Sequence, residues 1–249
     1  MLTRLRKNLA EANYGALGLE IIVVIVGILV AFQIDRWAIE GQERQQENQY
    51  LERLREDLLF EIDLMAKSIY HAETRIAAVR LLEEVAANPE IATEKPTEFL
   101  RAVERVTWRS FPHISAYVYT ELQSTGNLSL IRSEALRQAL AEHYSSIRFE
   151  SIIGLDLEIQ RLFSRLTAGV LSTQELVGIE ENQWRQQQIE VLPDRALQIA
   201  KELAARQDAV DLLPSIAQHH TFNKKIIGAS RDRALQIVTN LEELIEDSN

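Results

Sequence analysis

IIVVIVGILVAF, residues Ile21–Phe32, is an unbroken apolar run with a carboxylate, Glu20, at its leading edge. Alone it is too short to cross a bilayer, which takes about 20 mostly apolar residues. Upstream, Tyr14-Gly-Ala-Leu-Gly-Leu19 supplies the missing length, and Tyr14 and Trp37 fall at the two ends, as interfacial aromatics do. At a rise of about 1.5 Å per residue the two rings stand roughly 35 Å apart. That suits a hydrocarbon core of about 30 Å with the rings at headgroup level. The expectation is a transmembrane helix over residues 14–37, preceded by a short basic tail over residues 1–13. A cleaved signal peptide competes with it. No small-x-small cleavage site closely follows the run, and Gln33-Ile-Asp-Arg-Trp37 is a poor one.

Sidedness follows from the basic residues. The tail carries Arg4, Arg6 and Lys7; beyond the span the near basics are Arg36 and Arg44. Acidic residues hardly count in the positive-inside rule, so the bias puts the N-terminus in the cytoplasm and the bulk of the chain outside it. With no cysteine, thiol chemistry cannot arbitrate the compartment.

Within the span, Ala16, Glu20, Val23, Gly27 and Ala31 recur at spacings of three and four and share one face. Mostly small residues on one stripe let helix backbones approach closely in lipid, so this stripe is the expected oligomer interface. Glu20 lies on it. A charge at the bilayer centre costs about 2.5–3.5 kcal/mol even on lenient scales. Three roles for Glu20 stay open: a headgroup-level carboxylate on a simple anchor, a polar contact between copies, or one member of a ring lining a cation path.

The chain carries a net charge of −10, and residues 1–35 balance, so the excess belongs to the part beyond the membrane. A surface that acidic repels nucleic acid and anionic lipid, and nucleic-acid binding is not expected. Few Gly and Pro, no alternating β-branched run and many Leu, Ala, Glu, Gln and Arg point to an all-α chain. From Leu51 the apolar positions run Leu54, Leu58, Ile62, Met65, Ile69, Ala72, Ile76, Val79, Leu82 and Ala86, with the coiled-coil mean spacing. This predicts a juxtamembrane amphipathic helix over residues 38–88, continuous with the membrane helix, weakest at Gly41, and ended by Asn88-Pro89. Packing within the subunit or against another copy both fit that pattern.

An acidic helical domain is expected over residues 96–249. Asn88–Lys95 reads as a loop, and Pro96 opens a helix to about Thr107. Ser115 is the expected cap of a helix over Ala116–Gln123 that Gly126 terminates. Glu134 to Leu171 reads as one long helix, with Gly154 marking close approach by a neighbour. Gln174–Val191 is ambiguous. Pro193 opens a helix to about Gln207, and Pro214 opens the last one, to about Glu246. The architecture expected is an up-and-down helical bundle.

Reaction chemistry is hard to find. No HExxH, Glu-x-x-His pair, phosphate-cradling glycine loop or nucleophile elbow occurs, and no histidine has a partner at metal-ligating helical spacing. No enzyme activity, metal or cofactor is therefore expected. On the last helix His220 and Asn223 interrupt an apolar face; on the middle one His143 and Tyr144 do the same. These four residues are either a hydrogen-bonded core layer that sets helix register or a small ligand pocket between helices.

Gly18-Leu-Glu-Ile-Ile-Val-Val-Ile-Val-Gly-Ile-Leu-Val-Ala-Phe-Gln-Ile-Asp-Arg-Trp37, then Tyr50-Leu-Glu-Arg-Leu-Arg-Glu-Asp-Leu58, then Ala116-Tyr-Val-Tyr-Thr-Glu-Leu-Gln-Ser-Thr-Gly-Asn-Leu-Ser-Leu-Ile131 together resemble a bacterial family catalogued as domain of unknown function 6090. The resemblance implies a layout: a basic tail, one membrane helix with an embedded Glu, a charged helix, and a helical domain; with the charge bias, the expected place is a bacterial inner membrane with the domain in the periplasm. It implies no activity, so no functional residue is carried over. The expected protein is a single-pass oligomeric scaffold or sensing module whose partners are the lipid bilayer, other copies of itself and another membrane protein. The alternative is a channel or transport subunit in which several copies bring Glu20 to a pore.

Overall fold

The computed structural model describes residues 14–108, 111–147, 150–185 and 191–248. The basic tail, residues 1–13, lies outside them. All regular structure among the described residues is helical. Helix α1, Tyr14–Ala87, is a single helix of 74 residues, about 110 Å long at 1.5 Å per residue. Gly41 does not interrupt it. It ends where Pro89 cannot continue a helix, and the Asn88 side chain accepts the Glu90 amide at 3.3 Å.

The expected loop after it contains one helical turn, α2, Ile91–Glu94. Helix α3, Pro96–Arg105, opens on its proline as predicted. Helix α4 is Tyr117–Thr125, and Ser115 does not cap it. The N-cap is Ala116, left-handed at φ 47°, with no side-chain acceptor of its own. Asp57 of α1 supplies the acceptor instead, taking the Val118 N–H at 2.9 Å. Gly126, at φ 74°, ends α4, and a 3₁₀ turn over Asn127–Leu130 follows.

Helix α5, Glu134–Ser146, starts at Ser133, whose hydroxyl accepts the Leu136 N–H at 3.2 Å. The single helix expected from Glu134 to Leu171 is two. The chain leaves helical geometry at Ile147, with ψ 74°, and α6 is Glu150–Leu166. Gly154 is exposed in α6, and a Cβ built there meets nothing within 4 Å, so no neighbouring backbone demands glycine.

Helix α7, Thr173–Arg185, resolves most of the ambiguous stretch; residues 186–190 lie outside the described part. It opens on a reciprocal cap: Ser172 accepts the Glu175 N–H at 3.2 Å while Glu175 accepts the Ser172 N–H at 2.7 Å. Arg195 of α8, Pro193–Ala204, donates twice to the same carboxylate, at 2.7 and 2.9 Å. Those bonds, with Ser172, hold the Glu175 carboxyl down at about 2.

The last helix, α9, is Gln207–Ser248, and Pro214 lies inside it rather than at its start. Proline there removes one backbone bond. Burial of Ala209, Leu213 and Ile216 on the same turns offsets that loss.

Helices α1 and α9 run antiparallel side by side. Arg55 pairs with Glu242 at 2.7 Å and Glu73 with Lys224 at 2.7 Å, so eighteen residues forward on α1 are eighteen back on α9. Two apolar cores flank this spine. One gathers Val79–Val85 of α1 with α2, α3, α8 and the start of α9 around Phe99 and Phe163. The other gathers Leu51–Met65 with α4, α5 and the end of α9. Leu54 and Leu58, both 0 % exposed, each contribute about 1.5–3 kcal/mol by burial.

Packing on α1 begins abruptly. Every described side chain from 19 to 46 is exposed, and the first tertiary contacts are Glu47 with Arg132 and Tyr50 with Glu121.

Candidate functional site

The face of α1 that meets α9 is Leu51, Leu54, Leu58, Glu61, Met65, Ser68, Ala72, Arg75, Val79 and Leu82, all buried. Spacings alternate three and four without exception, which is a heptad seam. The expected seam named Ile62, Ile69 and Ile76, and these are only partly buried. Their polar N-terminal neighbours Glu61, Ser68 and Arg75 hold the facing positions instead. On α9 the matching seam is Ala209, Leu213, Ile216, His220, Asn223, Ile227, Ser230, Ala234, Ile237 and Leu241. Its polar members fall together as well, so a band of polar side chains separates the two apolar cores. The seam is filled within one chain.

At one edge of the band Glu61 is 3 % exposed and His143 0 %. The His143 Nε2 lies 3.3 Å from one Glu61 oxygen, and the Tyr144 hydroxyl donates to the other at 3.2 Å. Tyr144 also stacks on Tyr119, with centroids 4.6 Å apart. Burial, reinforced by the nearby Glu61 charge, pushes the Tyr144 phenol above its ordinary range, so it stays a donor. Arg233 ties the α9 side, donating to the hydroxyls of Ser146 and Ser230 at 2.9 and 3.3 Å.

At the other edge Asp156 of α6 is 3 % exposed. One of its oxygens is bonded to His219 Nε2 in a short contact and also accepts from Asn223 at 3.3 Å. His220 turns the other way, and its Nε2–H donates to the Val106 carbonyl at 2.7 Å. Burial pushes the His220 pKa down, helped by the Arg75 and His219 charges and opposed by Val106 and Asp156. The neutral ring that results leaves Nδ1 as a lone pair. Among the described residues that atom, Asp156 Oδ2, Asn223 Oδ1 and His143 Nδ1 have no hydrogen-bond partner.

The four predicted polar residues therefore do not form one pocket. His143 and Tyr144 belong with Glu61; His220 and Asn223 belong with Asp156, His219 and the Val106 carbonyl. No hydrogen bond joins the two groups among the described residues. Sequence reasoning missed Glu61, Asp156 and Arg75. For Glu61 and Arg75 a signal existed, because strict alternation of three and four from Leu51 lands on both. For Asp156 there was none.

Among the described residues no hydroxyl is bonded to any of these imidazoles, and no three His, Asp or Glu side chains converge to hold a metal ion. As built, the band is a set of internal hydrogen bonds that holds four helices in register. On the predicted membrane stripe, Glu20, Val23, Gly27 and Ala31 are exposed on the single chain; the side chain of Ala16 lies outside the described part. The chain matches no protein-family model, no curated protein and no solved structure.

Proposed function

We propose that this protein is a single-pass membrane protein of the bacterial inner membrane whose acidic helical domain stands in the periplasm as an interaction or sensing module. One observation carries the reading. Along a single helix, the apolar residues 19–34 are all exposed and no other described helix packs on them, while the mixed sequence from 47 onward is packed. Ile21, Ile22, Ile25 and Leu29 are each half exposed or more. A contiguous apolar surface of that size marks a membrane or protein contact, and the helix is long and apolar enough to span a bilayer. Residues 38–46, rich in Glu, Gln and Arg, then form a solvated stalk of about 14 Å. The layout agrees with the resemblance to domain of unknown function 6090.

Copies meet, on this reading, through the stripe of Ala16, Glu20, Val23, Gly27 and Ala31. A built Cβ on Gly27 meets nothing within 4 Å in the single chain, which leaves room for a second helix. Because α1 runs unbroken from membrane to domain, rearrangement in the domain rotates or tilts the membrane segment directly. A partner membrane protein then reads that motion.

The test is fractionation with an alkaline carbonate wash, together with the intact mass. The full chain stays in the membrane pellet with residues 1–37 attached, and a variant lacking them is released. A mature protein without those residues, or one that the wash extracts, sinks the reading. In detergent, Glu20→Gln and Gly27→Leu reduce the oligomer mass; if both keep the wild-type mass, copies do not meet at the stripe.

A further inference from the structure

We propose that the groove between α1 and α3 binds a small organic anion, an oxyanion head on an apolar body, with Arg75 receiving the head. The groove encloses about 620 Å³, within the roughly 300–1,000 Å³ of small-molecule sites. Although the chain has a net charge of −10, the groove is lined by Arg75, Arg101, Arg105 and His71 against the single carboxylate Glu98.

Arg75 is the decisive residue. It occupies a seam position, is 8 % exposed, and its Nε is buried. One terminal nitrogen donates to the His71 carbonyl at 2.9 Å, and the buried Nε has no partner. The charges it feels are Arg105, of like sign, and Glu104, which Arg105 already holds at 2.9 Å. No ion pair to Arg75 forms among the described residues. A buried guanidinium left without its counter-charge is expensive, and its planar fork matches a carboxylate or phosphate.

The walls say what else the ligand carries. Arg101 of α3 is half-buried and makes no ion pair among the described residues. Arg105 lies over the Trp108 ring, 5.0 Å from its centroid. Ala78, Leu81 and Ala102 form an apolar wall, with Tyr70 exposed at the rim. A bare inorganic ion would leave that wall uncovered, which favours an organic acid or phosphate ester.

The assignment rests on reading the domain as a sensing module, and its test is independent of the membrane reading. Phenyl phosphate and benzoate are titrated into the purified full chain in uncharged detergent, with benzyl alcohol as the neutral control. Both anions bind saturably and raise the thermal midpoint, and benzyl alcohol does neither. Arg75→Met and Arg101→Gln each weaken binding about tenfold or more, whereas Lys67→Gln, on an exposed face of α1, leaves it unchanged. Should Arg75→Met not fold, Arg101→Gln decides alone. Binding of phenyl phosphate without benzoate narrows the head to phosphate and supports the site. Three results overturn it: no saturable binding of either anion, benzyl alcohol binding as tightly, or full affinity in the folded variants. Failure here leaves carbonate-resistant membrane association standing, and the reverse also holds.

Discussion

Residues 19–46 and residues 47–87 belong to one helix and have opposite surroundings. In the first stretch large apolar side chains are bare; in the second Glu61, Ser68 and Arg75 are buried and Phe60 and Tyr70 are exposed. Hydrophobicity alone does not sort residues into inside and outside along this helix. In the second stretch the heptad geometry chooses the facing positions; there Glu61 meets His143 and Tyr144 of α5, whereas Arg75 bonds to the His71 carbonyl of its own helix. In the first stretch no described helix packs against the side chains, and its apolar part, residues 19–34, is long and apolar enough to cross a bilayer.

The comparison can be broken most directly at Glu61. Glu61→Leu leaves His143 and the Tyr144 hydroxyl without their acceptor and costs about 3 kcal/mol by denaturant unfolding. Gln45→Leu on the bare stalk stays within about 0.5 kcal/mol. Combining Glu61→Leu with His143→Leu and Tyr144→Phe recovers most of the loss, since an apolar replacement of a buried polar set is close to neutral. Equal effects at 61 and 45 would mean the seam is not a packed interface.

A second contrast sets the surface clamp against the buried band. Glu175→Gln removes the charge that Arg195 grips and costs about 1–2 kcal/mol near neutral pH. Because the folded carboxyl sits at about 2, below its ordinary 4.5, its contribution is complete above pH 4.5 and is lost as the pH falls toward 2. His220 works the same way in a higher window. Its folded pKa is below 6.5, so the unfolded chain takes up the proton first, and stability present above pH 6.5 drains as the pH drops beneath it. His220→Gln keeps a donor for the Val106 carbonyl and flattens the melting temperature between pH 6.5 and 5. An unchanged slope would place that histidine's titration elsewhere. A modest gain is expected at Gly154, where Ala adds about 0.5–1 kcal/mol by restricting the unfolded chain. A loss there would mean that a neighbour does approach α6.

How much of this was legible depended on range. Pro96, Gly126, Ser133 and Pro193 act within a turn of the boundary they set, and each behaves as its local chemistry dictates. Ser172-Thr-Gln-Glu175 carried an equally local capping signal that marks the start of α7. Ser115 failed because Asp57, from a helix sixty residues away in sequence, takes the Val118 amide in its place. Pro214 misled because burial of Ala209, Leu213 and Ile216 on the neighbouring turns of α9 outweighs one lost backbone bond. The break at Ile147 had no strong breaker beside it.

The sequence by itself determined that the chain is helical, where most helices begin and end, and that residues 14–37 are apolar enough to span a bilayer. Those properties depend on contacts a few residues apart. Tertiary structure decided which face of α1 is inside, that His143 meets Glu61 while His220 donates to the Val106 carbonyl, and that Arg75 lines a groove. Each of these depends on what a distant helix supplies: Glu61 enters the seam where α5 brings His143 and Tyr144, α3 supplies the far wall of the groove beside Arg75, and α1 alone does not encode where those helices lie.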